Sequence, residues 1–548
     1  MRRRIMASIL IAVLFTALFS SCKSSAAPDI IRTPIDSNPQ SLDPQIAVGR
    51  PANITISNCF EGLVTIDGSN KIAPGVAKSW SVSPDNLTYT FKLRKDAKWK
   101  LPKGLEDTLG EGYEESFDTR VTARDFAFAF ARALDPVTNS PNAVSLYAIK
   151  NAKAINSGSK NKSTLGVKAV DDYTLKITLQ HPSANFLFAL TAPIAMPCNE
   201  VFFESTSGRY GLSAKTLIYN GPFYIGNWDE KLVISLTKSD VYSGNNEVRP
   251  DGIRLLIDSD KSSYYSKLTS DGGYDFVYLS ASDFASVKTN KDIMVQEYPN
   301  SVWGICFNAS DTTITGDLRL ALCNSINDNA FADVSPKSSS GIVPPACLLT
   351  SGTSYRSKAG QIALPPFNTS KANKYWSNYL AYREKNGQPD EISISMLCVE
   401  EHQNMLKRLV QEWQKIFGIS FSVSIVAVPQ DELYSKVQSG SYELAFAPIL
   451  AEDLLATDFL SSFYSDAYGN MPHYSSSSYN AIIDNIRTAA SSDKLLSLCK
   501  NAESHLIQNA VIYPVFYENS YILVRKNLDG LYIYPTASNI IFKSAKHK

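Results

Sequence analysis

Along residues 87–94, LTYTFKLR, apolar and polar positions alternate: Tyr89, Phe91 and Leu93 fall on one side, Thr88, Thr90 and Lys92 on the other. A period of two belongs to a strand with one buried face, so a half-buried strand is predicted here. The period lengthens in VTARDFAFAFARALD, where Phe126, Phe130 and Ala133 recur at helical spacing, and Thr122 with Asp125 has the spacing of a capping box. A third stretch joins both periods. Leu406, Leu409, Val410, Trp413, Ile416 and Phe417 form a helical stripe that stops at Gly418, and ISFSVSIVAV follows with Ile419, Phe421, Val423 and Ile425 on one strand face. A helix from about Gln430 and a strand in YELAFAPIL complete a β-α-β unit. Mixed strands and helices predict an α/β chain, and 548 residues at about 150 per domain predict three lobes. Segments 101–120, acidic and Gly-rich, and 335–371, rich in Ser, Pro and Gly, are predicted to be surface loops.

The N-terminal pattern is of another kind. MRRRIMASILIAVLFTALFSSCKSS sets three arginines before an apolar run from Ile5 to Phe19, then small residues and Cys22. The run falls short of the roughly 20 residues a membrane span needs, and its layout predicts an export signal at residues 1–21. A cysteine straight after FSS is similar to the lipidation site of bacterial lipoproteins, although Phe19 departs from the Leu usual three residues before it. Cys22 is therefore expected to be lipidated and to anchor the chain at the outer face of the cytoplasmic membrane, in the periplasm or at the cell surface, with residues 22–27 as a tether. The whole sequence has 53 basic and 53 acidic residues; losing three arginines with the signal leaves 50 against 53, about −3. Nucleic acid is not an expected partner of such a chain. The seven further cysteines, at 59, 198, 306, 323, 347, 398 and 499, contain no CxxC pair. Buried thiols, with room for one bridge, are expected rather than a disulfide framework or a zinc site.

Catalytic signatures are missing from the sequence: there is no GxSxG, HExxH, GxxxxGK[ST] or strand-linked GxGxxG, and the five histidines, at 181, 402, 473, 505 and 547, are dispersed. The pairs Glu400–Glu401 and Glu452–Asp453 would point to opposite faces of a strand, a poor arrangement for two-sided acid–base chemistry. No enzyme activity, metal or cofactor is expected. One stretch nevertheless asks for a partner. FAPILAEDLLATDFLSSF, residues 446–463, sets Glu452, Asp453 and Asp458 in apolar company where the YELAFAPIL strand ends. Ligands of open α/β sheets bind beyond the carboxyl ends of strands, and an acid among apolar residues faces solvent, caps a helix or serves a cation. Asp458 is expected to cap or to face solvent.

The phrases SLDPQ, CFEGLVTIDGSNKIAPGVAKSWSVSPDNLTYTFKLRKDAKW, VTARDFAFAFARALDPVTNSP, LGVKAVDDYTLKITL and YNGPFYIGNW follow one another in order. Together they resemble the oligopeptide- and dipeptide-binding proteins of bacterial ABC importers, solute-binding protein family 5, over about residues 38–325 and again over 404–530. The resemblance implies a periplasmic-binding-protein-like (type II) α/β fold: two lobes joined by crossing strands, with an additional domain on the first lobe, closing around a ligand. It implies lobe I at 28–60, 198–298 and 518–548, the additional domain at 61–197 and lobe III at 299–517. Its implied partners are a peptide ligand and ABC permease subunits, and a monomer is expected.

The same resemblance implies the site. AEDLLATDFL keeps Ala451, Thr457, Phe459 and Leu460 at the family's spacing and puts Glu452 where the family's peptide binders hold the ligand's N-terminal ammonium; the family's Pro is Ala456 here. GNMPHY makes Asn470, His473 and Tyr474 supports, VGRP implicates Val48 and Arg50, and Ser280 falls on the facing edge of lobe I. Phe446 and Ile449 stand where the oligopeptide binder has an arginine and a tryptophan, so a ligand carboxylate would be held elsewhere, by Arg50, or be lacking. A non-peptide solute (an oligosaccharide, another cation or a metal chelate) and a non-transport surface lipoprotein are the alternatives.

Overall fold

The computed structural model describes residues 27–105, 110, 112, 117–244, 247–327, 331, 339–389, 391–451, 454–467, 469–536 and 539–548. Cys22 and Glu452, like Asp453 and most of the acidic stretch 106–116, lie outside the described residues.

Three main sheets organise the chain. One has the order Ile30–Ile35, Gly252–Ile257, Val233–Lys238, Phe223–Asp229, with the first pair parallel and the rest antiparallel. A second is antiparallel throughout: Ala77–Val82, Thr88–Leu93, Thr174–Thr178, Val167–Asp171. Its strand Thr88–Leu93 buries Tyr89, Phe91 and Leu93 and turns Lys92 outward, as the alternation predicts. Helix Ala123–Ala133 begins at the expected capping box, the Thr122 N–H donating to Asp125 Oδ2 at 2.6 Å, and buries Phe126, Phe130 and Ala133 completely. Both sheets feed one continuous apolar core running from Ile31 through Phe91, Phe130 and Ile253 to Phe542.

The third sheet has six strands, in the order Phe276–Leu279, Ile512–Arg525, Ile293–Phe307, Leu444–Leu450, Ile392–Cys398, Phe421–Ala427. Period two divides it cleanly. Val302, Cys306, Ala445, Ala447 and Ile449 enter the core on one face, and Trp303, Ile305, Phe307, Leu444 and Phe446 the core on the other. Helices cover both faces: Ser477–Arg487 and Ser492–Gln508 on the first, Gly316–Asn324 and Gln403–Phe417 on the second. A strand buried on both sides reads as a continuous apolar run, which is why LAFAPIL lacks alternation. Helix Gln403–Phe417 ends at Gly418 (φ 85°) and Gln430–Gln438 follows as expected. Ile419 departs from the expectation: the next strand starts only at Phe421, after the turn that Gly418 opens, and Ile419 is fully exposed.

Two long strands tie the molecule together. Ile293–Phe307 and Ile512–Arg525 pair along their length, with register shifts at Tyr298/Ser301 and Trp303/Gly304. One end of this ribbon pairs with Phe276–Leu279 and the other with Leu444–Leu450. The second shift accommodates Pro514, which has no N–H for a regular ladder. Gly304 is required opposite it, since a Cβ there would lie 2.6 Å from the Tyr513 carbonyl oxygen.

The Ser-, Pro- and Gly-rich segment is not the surface decoration its composition predicts. Ile342, Val343, Cys347 and Tyr355 are fully buried. The reason is Glu503, a wholly buried acid on helix Ser492–Gln508, which a fold tolerates only when partners surround it. The segment supplies them: the Arg356 guanidinium, the Tyr355 hydroxyl at 2.8 Å and the Val343 N–H at 2.9 Å. The seven described cysteines are all buried, and none forms a disulfide with another of the seven.

Candidate functional site: a hollow between two lobes

A hollow of about 440 Å³ lies beside the third sheet. One wall is helix Ala281–Ala285, following strand Phe276–Leu279. Ser280 caps it, its Oγ accepting from Asp283 N at 3.2 Å and donating to Asp283 Oδ2 at 2.7 Å. The opposite wall is Val399–Glu401 and Ala427–Gln430, the segments directly beyond the parallel strands Ile392–Cys398 and Phe421–Ala427. This is the carboxyl end of a parallel sheet region, where ligands bind. The floor comes from the two crossing strands, as Trp303 and Glu518. A second hollow of about 370 Å³ adjoins through Gln430 and is lined by Leu433, Tyr434, Pro448 and Met471 among others.

Burial works against the Glu518 charge and raises its pKa; the nearby Trp303 indole opposes that rise and the charge of Glu401 adds to it. The Trp303 Nε1 is itself buried without a hydrogen bond of ordinary geometry, so it approaches the carboxylate without closing on it. Behind Trp303, Phe446 and Phe516 stack on its ring at 5.4 and 6.0 Å, and His402 meets it edge-on at 4.6 Å. Burial lowers the His402 pKa, against the charge of Glu401. No group of His, Cys, Asp and Glu fit to hold a metal occurs among the described residues.

The expected residues are distributed unevenly about this hollow. Ser280 holds the wall helix but does not itself line it. Arg50 opens helix Arg50–Cys59, with its guanidinium 3.8 Å above the Tyr278 ring, two residues before Ser280. Burial lowers its pKa while Tyr278 and Asp36 oppose the shift, and its Nε has no partner. Val48 is exposed beside Gly49 (φ 88°). Phe446 is completely buried behind Trp303, whereas Ile449 packs into the core on the other face of the sheet. Asn470, His473 and Tyr474 come together in one turn of their own. Asn470 Nδ2 donates to the Tyr474 carbonyl at 2.9 Å, His473 Nε2 lies 3.1 Å from the Val437 carbonyl, and Tyr474 Oη lies 3.1 Å from His505 Nε2. None of the three lines the first hollow. Asp458 is exposed in the first turn of helix Ala456–Ser461.

Sequence reasoning missed Trp303, Gln430 and Glu518, and considered Glu400–Glu401 only as a catalytic pair. A signal for Glu518 existed: IYPVFYENSYILV is an apolar strand interrupted by an acid, the same kind of interruption that draws attention to Glu452.

Two lobes, crossing strands and a hollow between them are the architecture of a periplasmic-binding-protein-like fold, and the profile of the bacterial extracellular solute-binding proteins, family 5, matches residues 71–471. The chain belongs to that family. It is 26% identical over 510 residues to the dipeptide-binding protein DppE of Bacillus subtilis (strain 168), covering 91% of this chain and 89% of the relative. To the periplasmic oligopeptide-binding protein OppA of Escherichia coli (strain K12) it is 26% identical over 502 residues, 90% of this chain and 87% of that one. The crystal structure of an oligopeptide ABC transporter substrate-binding domain from Bacillus anthracis str. Ames superposes with a TM-score of 0.69 at 25% identity, covering 95% of this chain and 99% of the other. The fold is thus of the expected periplasmic-binding-protein-like type. No helix among the described residues is long and apolar enough to cross a membrane.

Proposed function

We propose that this chain is the extracytoplasmic receptor of an ABC importer, capturing peptides in the hollow between its lobes and delivering them to a membrane permease without catalysing a reaction. The observation that carries this reading is the position of the hollow: it is walled by both lobes and floored by the strands that join them. A ligand bridging both walls favours the closed arrangement, which a permease can distinguish from the open one. In this reading Glu452, at the family's spacing from Ala451, Thr457, Phe459 and Leu460, pairs with the peptide's N-terminal ammonium. Arg50, with its open Nε, takes the ligand carboxylate where one is present. Cys22 carries the lipid anchor, and the body works as a monomer.

Native mass spectrometry of the purified soluble body tests the function. Bound peptides, displaced on unfolding, are the expected result. A body free of peptide that binds no member of a random di- to hexapeptide pool would overturn the proposal.

A further inference from the structure

Three carboxylates line the hollow, and no basic side chain stands with them among the described residues that line it. Glu518 stands on its floor and Glu400 and Glu401 at its rim, while none of the described residues lining it is lysine, arginine or histidine. His402, close behind, is held toward its neutral form by burial and adds no compensating charge at neutral pH. A second observation concerns the indole that approaches Glu518 without closing on it. Trp303 is only 3% exposed, lines the hollow, and leaves its indole N–H unsatisfied. With Phe446 and Phe516 stacked on its ring, the polar edge is what Trp303 offers to a ligand. A buried donor left open is unfavourable, and a half-buried carboxylate such as Glu518 gains from a cation beside it. A ligand that brings an acceptor for the one and a positive charge for the other relieves both.

We propose that Glu518, with Glu401 and the Trp303 indole, forms a subsite selecting ligands that carry a cationic group near a carbonyl oxygen. It rests on the peptide-receptor reading, in which the group is a lysine or arginine side chain. The carboxylates take the ammonium or guanidinium, and the indole N–H donates to a main-chain carbonyl. The subsite's role differs from the one proposed for Glu452: it acts on a ligand side chain rather than on the N-terminal ammonium. An enclosed carboxylate–cation pair loses affinity steeply when one charge is removed.

Calorimetry on the full soluble body tests the subsite with two peptides of one sequence, Ala-Lys-Lys-Ala and its doubly Nε-acetylated form. Wild type should bind the lysine peptide at least tenfold more tightly. Glu518→Gln should reduce that preference to threefold or less. The same variant should unfold no earlier than wild type, since it removes a half-buried charge that lacks a cation partner among the residues lining the hollow. A preference that survives Glu518→Gln, or is absent from wild type, overturns the subsite. A parallel thermal-shift titration with spermidine separates the two proposals. If neither peptide binds but spermidine stabilises wild type and not Glu518→Gln, the peptide reading fails and the cation subsite stands. If neither probe acts, the subsite falls as well.

Discussion

Arg132→Met should cost this protein more stability than most single changes can. The guanidinium and the Asp43 carboxylate are both nearly inaccessible, with side chains 8% and 5% exposed. They make two parallel bonds, Nη1 to Oδ2 at 2.8 Å and Nη2 to Oδ1 at 2.5 Å. Arg132 also reaches the Gln45 amide oxygen and lies 4.5 Å over the Phe203 ring. Burial opposes its charge, but the hydrogen bonds and charge of Asp43 outweigh this and raise its pKa. Methionine fills similar space and leaves Asp43 buried with the Gln45 N–H, at 3.0 Å, as its remaining close side-chain partner. Breaking one side of a buried pair costs about 3–5 kcal/mol, which at roughly 1 °C per kcal/mol for a chain of this length lowers the transition by about 3–5 °C. The double variant Asp43→Leu/Arg132→Met removes both charges and should recover most of the loss, retaining about 1–3 kcal/mol for the stranded Gln45 N–H. Scanning calorimetry of the four proteins gives the cycle. A single-variant loss below about 1 kcal/mol, or a double variant no better than the sum of the singles, would refute the reasoning.

Three further outcomes are expected. His547 bridges two acids, Nδ1 to Asp29 at 2.5 Å and Nε2 to Asp275 at 3.1 Å; burial opposes its charge, but these bonds raise its pKa. A raised histidine stabilises fully below its unfolded pKa of about 6.5 and loses that contribution as pH climbs through the folded value. The melting-temperature gap between wild type and His547→Asn should therefore be widest near pH 5 and close toward pH 9, and a gap that widens with pH contradicts this. Phe188 packs with Ile66 against Leu348, Leu454 and Leu455, far along the chain from both, so Phe188→Ala should weaken that contact and raise the radius of gyration of ligand-free protein in small-angle scattering; an unchanged curve argues against a latch. Cys22→Ser should release the exported chain from membranes, and an unchanged membrane fraction would defeat the anchor.

Much of the fold was legible because single elements announce themselves by period. Thr88–Leu93, Ala123–Ala133 and Gln403–Phe417 each carry their burial pattern within about fifteen residues. What composition misread was the segment around Tyr355 and Arg356, because its burial is dictated by Glu503, nearly 150 positions away. No local pattern records that an acid in one helix will need a guanidinium from a distant loop.

The phrases that carry the family resemblance turn out to be joints. Asp43 and Gln45 of SLDPQ bind Arg132 of the ARALD phrase. Glu61 of CFEGL pairs with Arg94 of KLRKD at 2.5 Å. The Glu61 N–H meets Asn220 of YNGPF at 3.1 Å, and Asn220 donates back at 2.8 Å. Gly221 beside it sits so close to Cys59 that a Cβ would lie 2.5 Å from the backbone. Each joint ties a strand or helix of the second sheet's surroundings to the first, which is why one apolar core runs through both, and why these parts are expected to swing as one body about the crossing strands. Residues that weld a scaffold must keep their partners whatever the ligand, so they reveal the family and say nothing of the solute. The hollow draws instead on Ala281, Trp303, Glu401, Gln430 and Glu518, five positions spread over more than two hundred residues and free of any shared spacing. In the proposed reading ligand choice is written in that scattered set, which becomes a set only when the chain folds.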